Sequence, residues 1–293
     1  MAFLRRLAAL KQPGSVSLST KGPVAFLTLH NVARRNAISG PMMASLHEHI
    51  STLEQWHEGS AVVLAGAGGT FCAGADLELV RSELNSPEAG RQMAAAMGDI
   101  LHRLRQLPLL SVSAIEGHAI GGGAELATAT DWRVMAPTAQ LRFVHAKMGT
   151  SPGWGGAARL VQLVGRGAAL RCLAHGTALR PADAMAIGLC DGVGDADEPA
   201  ATAAERLLLA PAMAHTASID ALRAIKRVGT RAITAAHARV HGLTLLPPPS
   251  TQAVAVASDV AEDVRLDEQR ALASVWGSGA NLRIVQGIRE RGA

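Results

Sequence analysis

Two side chains and two backbone amides in this chain have the makings of a reaction centre. Glu125 stands in "EGHAIGGGAELATATD", and His145 stands in "FVHAKMGTSPGWGG", Phe143 to Gly156. A histidine changes charge near neutrality, so it suits proton transfer or the reception of a carboxylate. Gly121, Gly122 and Gly123 carry a strand-like run directly into a helix-like one. The opening amides of a helix have no internal partner, the helix dipole makes that end electropositive, and glycine lets a ligand approach the backbone. A second such point lies in "TFCAGADLELV", where Gly74 permits a tight turn that presents the amide of Ala75. One such end binds an anion generically. Two that converge make an oxyanion hole, which shelters a carbonyl oxygen as it becomes an enolate.

Each feature also has a plainer reading. The three glycines serve close helix–strand packing equally well. His145 reads as a core histidine bonded to backbone, or as a reacting group. The exposed-looking Trp154 reads as core or subunit-interface packing, or as an apolar wall of a site. Glu125 reads as an acid, as the partner that sets the His145 tautomer, or as a residue favoured by a helix start. Asp76 is expected to fix its loop by bonding backbone amides, and His118 to be a satisfied surface or supporting group. Dinucleotide binding fits poorly, because no GxGxxG spacing is followed by an acidic residue after the next strand.

The bulk composition narrows the classes. The chain has 293 residues, 48% of them hydrophobic and 18% charged, which excludes wholesale disorder. Aromatic residues make up 3% with no tyrosine, so Ala, Leu, Val and Gly do most of the packing. A formal charge of +4 is too small to argue for nucleic acid and fits anionic small molecules. Cys72, Cys172 and Cys190 form no CxxC pair, which argues for a reducing compartment with ordinary buried thiols and against zinc. No apolar run reaches the roughly twenty residues of a membrane span. The first acidic residue is Glu48, so a mitochondrial leader competes with a cytoplasmic location. Strand-like sequence already begins near Ser15, which favours the cytoplasm.

The elements that must hold these groups follow from local pattern. "VSLSTKGPVAFLTLH" predicts two strands around a Lys21–Gly22–Pro23 turn, and Ser39 with Pro41 predicts the start of a helix carrying Met43, Leu46, Ile50 and Leu53. "AVVLAGAG" and "LLSVSAIEG" predict buried parallel strands, with a helix from about Ser86 to Gln106 between them. A third helix follows the glycine run, then the strands "WRVMAP" and "QLRFVH". This alternation means an α/β layer with crossovers. From "GWGGAARL" onward alanine-rich helices dominate, broken by a proline-rich insert near residues 245–259.

Taken as a set, Asn36–Ala37 in "ARRNAISG", "FCAGADL", "EGHAIGGGAELATATD" and "MGTSPGWGGAARL" resemble the crotonase (enoyl-CoA hydratase/isomerase) superfamily over residues 15 to 195. The resemblance implies a ββα-spiral core at 15–200 and a helical C-terminal trimerisation region at 201–293. It also implies a homotrimer or a hexamer, and an acyl-CoA thioester whose carbonyl sits between the amides of Ala75 and Gly122. Ala73, Asp76, Leu77, Gly121 and Trp154 would line the substrate; Arg34 and Arg35 are candidates for the CoA phosphates, and Arg283, Arg289 and Arg291 read as further candidates, from the same or a neighbouring subunit, or as a solvated terminal helix. Coenzyme A is then part of the substrate, with no metal and no further cofactor.

Hydratases of that superfamily use two glutamates. Glu125 occupies the first position, and His145 occupies the second. "RFVHAKMG", "SPGWGG" and, near the C-terminus, "VWGSGANL" are similar to the branch that decarboxylates ethylmalonyl-CoA and, more slowly, methylmalonyl-CoA. Loss of CO2 from a 2-carboxyacyl thioester leaves an enolate, the charge that two amides are suited to hold. A second glutamate would repel the carboxylate of such a substrate, and a histidine would not. Trp154 would form a wall against which that carboxylate is poorly solvated. Glu125 is expected to be protonated, paired or turned aside. Three rivals stand beside this reading: an enoyl-CoA hydratase or isomerase, a non-catalytic scaffold, and an RNA-binding member. The last would use Arg223, Lys226, Arg227, Arg231 and Arg239 of "ALRAIKRVGTRAITAAHARVHG", a stretch without aromatics for stacking.

Overall fold

A computed structural model describes residues 2–208 and 219–240 together with Gln269, Arg270, Leu272 and Trp276; within 219–240 the side chains are described to residue 230. The proline-rich insert near 245–259 and Arg283, Arg289 and Arg291 lie outside the described residues, as do the side chains of Arg231 and Arg239.

In chain order the elements are α1 (Ala2–Ala8), β1 (Ser15–Lys21), β2 (Val24–His30), α2 (Gly40–Glu54), β3 (Ala61–Gly66), α3 (Leu77–Glu83), α4 (Pro87–Gln106) and β4 (Leu110–Ile115). There follow β5 (His118–Ile120), α5 (Gly122–Ala127), β6 (Trp132–Met135), β7 (Gln140–Arg142) and α6 (Gly156–His175). The described part closes with α7 (Pro181–Ala186), β8 (Gly192–Val193), α8 (Ala200–Leu208) and α9 (Ile219–Val240). The expected hairpin, helices and strands are all present. Helix α1 was not foreseen; it buries Leu4 and Leu7 against α2. Ser39 does precede α2, but its hydroxyl makes no cap bond. The Gly40 amide instead donates to Gln12 Oε1 at 3.0 Å.

The main sheet runs β1-β2-β3-β4-β6-β8, antiparallel between β1 and β2 and parallel thereafter. Alternate residues of its strands point to opposite faces, and both faces are covered. Val62 and Leu64 of β3 join the cluster with Ile50, Leu53, Met97 and Leu101 of α2 and α4. Ala61 and Val63 join the other, with Val112, Val134 and the alanines of α8. That explains why β3 opens on an unbroken apolar run and why every residue of β4, Ser111 and Ser113 included, is buried. Truncating one of these wholly buried side chains, such as Leu64→Ala, costs about 2–5 kcal/mol.

A second, shorter ladder crosses beside the sheet. Ile38 bridges to Ala75, Cys72 bridges to Ala119 of β5, β5 pairs with β7, and Leu141 of β7 bridges to Leu179. After β2, β3, β4 and β6 the chain therefore runs through a short segment on this ladder before the next helix. This repeat is the expected ββα spiral, and it brings the end of every turn to one side of the molecule.

Helix α9 is tied back to the sheet by its own cations. Arg223 Nη1 donates to the carbonyls of Trp56, His57 and Gly59 at 2.9–3.1 Å, and Lys226 pairs with Asp131. Two of the five basic groups considered for RNA thus face inward, 7% and 5% exposed. No described helix is long and apolar enough to cross a membrane.

Candidate active site

The short ladder explains how the two glycine-flanked amides meet. The bridge to Ile38 uses the Gly74 carbonyl and the Asp76 amide, so in this extended segment the Ala75 amide points the other way, toward β5. Gly74 has φ 95°, and a Cβ there would lie 3.0 Å from the Ile120 carbonyl and 3.1 Å from the Gly122 nitrogen. Only glycine lets the two loops approach so closely. Gly121, at φ 55°, turns β5 into α5, and Gly122 opens that helix. Neither the Ala75 nor the Gly122 amide donates to a described backbone oxygen.

Glu125 projects from α5 one turn later and is 2% exposed. His145 follows β7 at the start of a single 3-10 turn, Ala146–Met148, and is 8% exposed. Its Nε2 lies 3.0 Å from Glu125 Oε1. The other carboxylate oxygen accepts from the amides of Trp154 at 2.8 Å and Gly156 at 2.9 Å. Burial pushes the Glu125 carboxyl up, but the bond and charge of His145, the charge of Arg159 and the Gly156 amide together hold it below the ordinary carboxylate range. An ionised carboxylate only accepts, so His145 Nε2 carries the proton of this bond. Nδ1 is then the remaining ring atom. It is buried and has no partner among the described residues.

Arg159, which the sequence reading passed over, holds the back of the pair. Its Nη2 donates to the carbonyls of Glu125 and Trp154 at 3.0 and 2.9 Å, and its Nε to Thr128 Oγ1 at 3.0 Å. The signal was an arginine set between Ala158 and Leu160 in the first turn of a helix. Trp154 is not exposed; it is 2% accessible, with its ring against Gly122. A Cβ on Gly122 would lie 2.6 Å from Trp154 Cζ3, so the indole needs glycine at that amide.

Asp76 behaves as expected of a loop-fixing group. It caps α3 by accepting from the Glu78 amide at 2.8 Å, and Arg34 grips both its oxygens at 3.0 and 2.9 Å. Arg34 also bonds Glu78 at 2.6 Å. His118 is not satisfied as expected: its Nδ1 is buried without a partner among the described residues, and it does not line the cavity.

A cavity of about 970 Å3 joins these groups. Ala73, Ala75, Asp76, Leu77, Gly121, Gly122, Glu125, His145 and Trp154 all line it. Arg34 and Arg35 line it too, as do Leu272 and Trp276, which were not expected there. Among the described residues no cluster of His, Cys, Asp and Glu has the arrangement of a metal site.

Residues 19–244 match the family described as Enoyl-CoA hydratase/isomerase. The chain belongs to that family. Its members act on acyl-CoA thioesters. This member is 42% identical over 219 residues to the ethylmalonyl-CoA decarboxylase of Gallus gallus, covering 74% of this chain and 72% of that protein. It is 40% identical over 228 residues to the ethylmalonyl-CoA decarboxylase of Xenopus laevis, covering 78% and 75%. The crystal structure of an enoyl-CoA hydratase/isomerase from Mycobacterium paratuberculosis superposes with a TM-score of 0.75 at 19% identity, over 95% of this chain and 100% of that one. That likeness bears on the fold alone, and it agrees with the expected spiral.

Proposed function

We propose that this chain is a carbon–carbon lyase that decarboxylates a 2-carboxyacyl-CoA, with ethylmalonyl-CoA as the preferred substrate and methylmalonyl-CoA as a slower one. The observation that carries the reading is the Glu125–His145 pair at the position where a hydratase needs two carboxylates. Asp76 and Glu78, the other carboxylates on the cavity wall, are bonded to Arg34 and are not available to share a water with Glu125. The relatives named above support the same class.

The reaction follows from the groups present. The bond between C2 and the substrate carboxylate breaks, its electron pair moves into the thioester, and CO2 leaves. The resulting enolate oxygen is held by the amides of Ala75 and Gly122. Trp154 keeps water from the departing carboxylate. The imidazolium of His145 then gives its Nδ1 proton to C2, while Nε2 stays bonded to Glu125. Solvent restores the proton, and the acyl-CoA is released. The balance needs only the substrate, these groups and one proton.

Arg35 at the cavity wall receives the CoA phosphates, while the guanidinium of Arg34 is taken up by Asp76 and Glu78. The assembly in this reading is a homotrimer or hexamer, with exposed Ile225 and Val228 of α9 available for subunit contact.

The test is to incubate the protein with ethylmalonyl-CoA and, separately, with crotonyl-CoA. CO2 release with one solvent deuteron at C2 of the product supports the proposal. Rapid hydration of crotonyl-CoA without CO2 release replaces it with a hydratase. Salt-sensitive RNA binding near physiological ionic strength would favour the RNA-binding alternative.

A further inference from the structure

Leu272 and Trp276 enter the cavity from far along the chain. They stand one helical turn apart, with the Trp276 amide 2.8 Å from the Leu272 carbonyl. Both are buried while lining the cavity. Leu272 packs on the loop beside the reacting pair: a Cβ at Gly153 would lie 2.2 Å from Leu272 Cδ2, and the Gly153 amide is 3.4 Å from Glu125 Oε1. Trp276 packs on the wall formed by α3 and α4. A Cβ at Gly90 would lie 2.4 Å from its Cδ1, and its indole Nε1 donates to the Leu84 carbonyl at the end of α3. Met93, three residues beyond Gly90 on α4, is buried and lines the same cavity.

The cavity is therefore asymmetric. Arg34 and Glu78, whose side chains are 36% and 56% exposed, stand at its open side. Leu272, Trp276 and Met93 close it with apolar surface. An acyl-CoA is polar along the CoA and apolar only in its acyl group, so burial favours the alkyl part at the closed end.

We infer that Leu272 and Trp276 are specificity-determining residues, whose side chains set how large an alkyl group the closed end accepts. The inference rests on the proposed decarboxylase for the reaction, while size selection at the closed end applies to any acyl-CoA. The pair was hidden in the sequence because Gly90 and Gly153, which leave room for it, lie more than a hundred residues earlier.

Full-length Leu272→Ala and Leu272→Phe are compared with wild type on methylmalonyl-, ethylmalonyl- and butylmalonyl-CoA. Leu272→Ala raises the ratio of kcat/KM for butyl over ethyl about tenfold, and Leu272→Phe lowers it by a similar factor. Trp276→Phe, which shortens the aromatic, moves the ratio in the same sense as Leu272→Ala. Ratios measured on one preparation cancel any loss of folded protein, and a packing defect alone cannot drive two variants in opposite directions. Ratios that stay at the wild-type value, or that move in the same direction for Leu272→Ala and Leu272→Phe, overturn the inference. If the wild type releases CO2 from none of these substrates, the decarboxylase reading fails by itself. Size selection is then read from the Kd values of butyryl-, hexanoyl- and octanoyl-CoA, where the same opposed shifts support it and equal affinities for both variants overturn it.

Discussion

His145 Nε2 and Glu125 Oε1 lie 3.0 Å apart although they belong to different turns of the spiral, one after β7 and the other in α5. The carboxylate is held from behind by the Trp154 and Gly156 amides, so it faces the imidazole in one orientation. The pairing sets aside the backbone-bonded reading of His145. His145 bonds a carboxylate and not a backbone group, and Glu125 is paired, one of the three outcomes expected for it.

The pairing predicts how two substitutions at Glu125 differ. In Glu125→Gln the side-chain oxygen can still accept from the amides of Trp154 and Gly156, while its NH2 faces His145 Nε2 and makes that atom an acceptor. With Nε2 accepting, the ring is neutral and its Nδ1–H is a far weaker acid toward C2 than the imidazolium, so kcat falls by about a hundredfold or more with the fold kept. In Glu125→Ala the buried amides of Gly153, Trp154 and Gly156 lose their acceptor, which costs roughly 3 kcal/mol. Steady-state CO2 release and urea unfolding of the two variants check both statements.

The depressed pKa of Glu125 sets an acid limit. Its folded value lies below the ordinary 4.5 because His145, Arg159 and the Gly156 amide overcome the cost of burial. A carboxyl with a lowered folded pKa contributes stability that is complete above its unfolded pKa and is lost as pH falls through the folded one. The difference in urea midpoint between wild type and Glu125→Gln is therefore constant near neutrality and shrinks below the ordinary carboxylate value. A difference that instead grows with acid contradicts this assignment.

Gly122 and Gly123 sit side by side and fail in different ways. A methyl at Gly122 meets the end of the Trp154 ring, so Gly122→Ala displaces the indole or the amide and lowers kcat about a hundredfold in a folded protein. A methyl at Gly123 would lie 2.1 Å from the Cys72 carbonyl, which is backbone and cannot move aside. Gly123→Ala should give little soluble, folded protein. Thermal unfolding and activity of the pair separate these outcomes.

The three thiols should be inert in the native protein. Burial pushes Cys72 up to about 12, and burial raises Cys172 and Cys190 as well. A thiolate is the reacting form, so an aromatic disulfide reagent at mildly alkaline pH should titrate none of them until denaturant is added. Fast reaction of Cys72 in the native state contradicts the packing described around the Gly74 turn.

Much of the architecture could be read locally, because strand and helix periodicity and glycine turns are written within about ten residues of one another. The apolar run at 61–64, the small and apolar run at 110–115, the start of α4 at Ser86 and the glycines before α5 all fall in this class. So did the candidates Glu125 and His145, once the order of the motifs was taken together. What the tertiary structure decided are contacts between residues far apart in sequence, which depend on the path of the whole chain. The approach of Gly74 to Gly122, the grip of Arg34 on Asp76, the inward turn of Arg223 and Lys226 and the arrival of Leu272 beside Gly153 are of this kind. No local pattern encodes them, since each requires two separated segments to leave matching space and charge at one point.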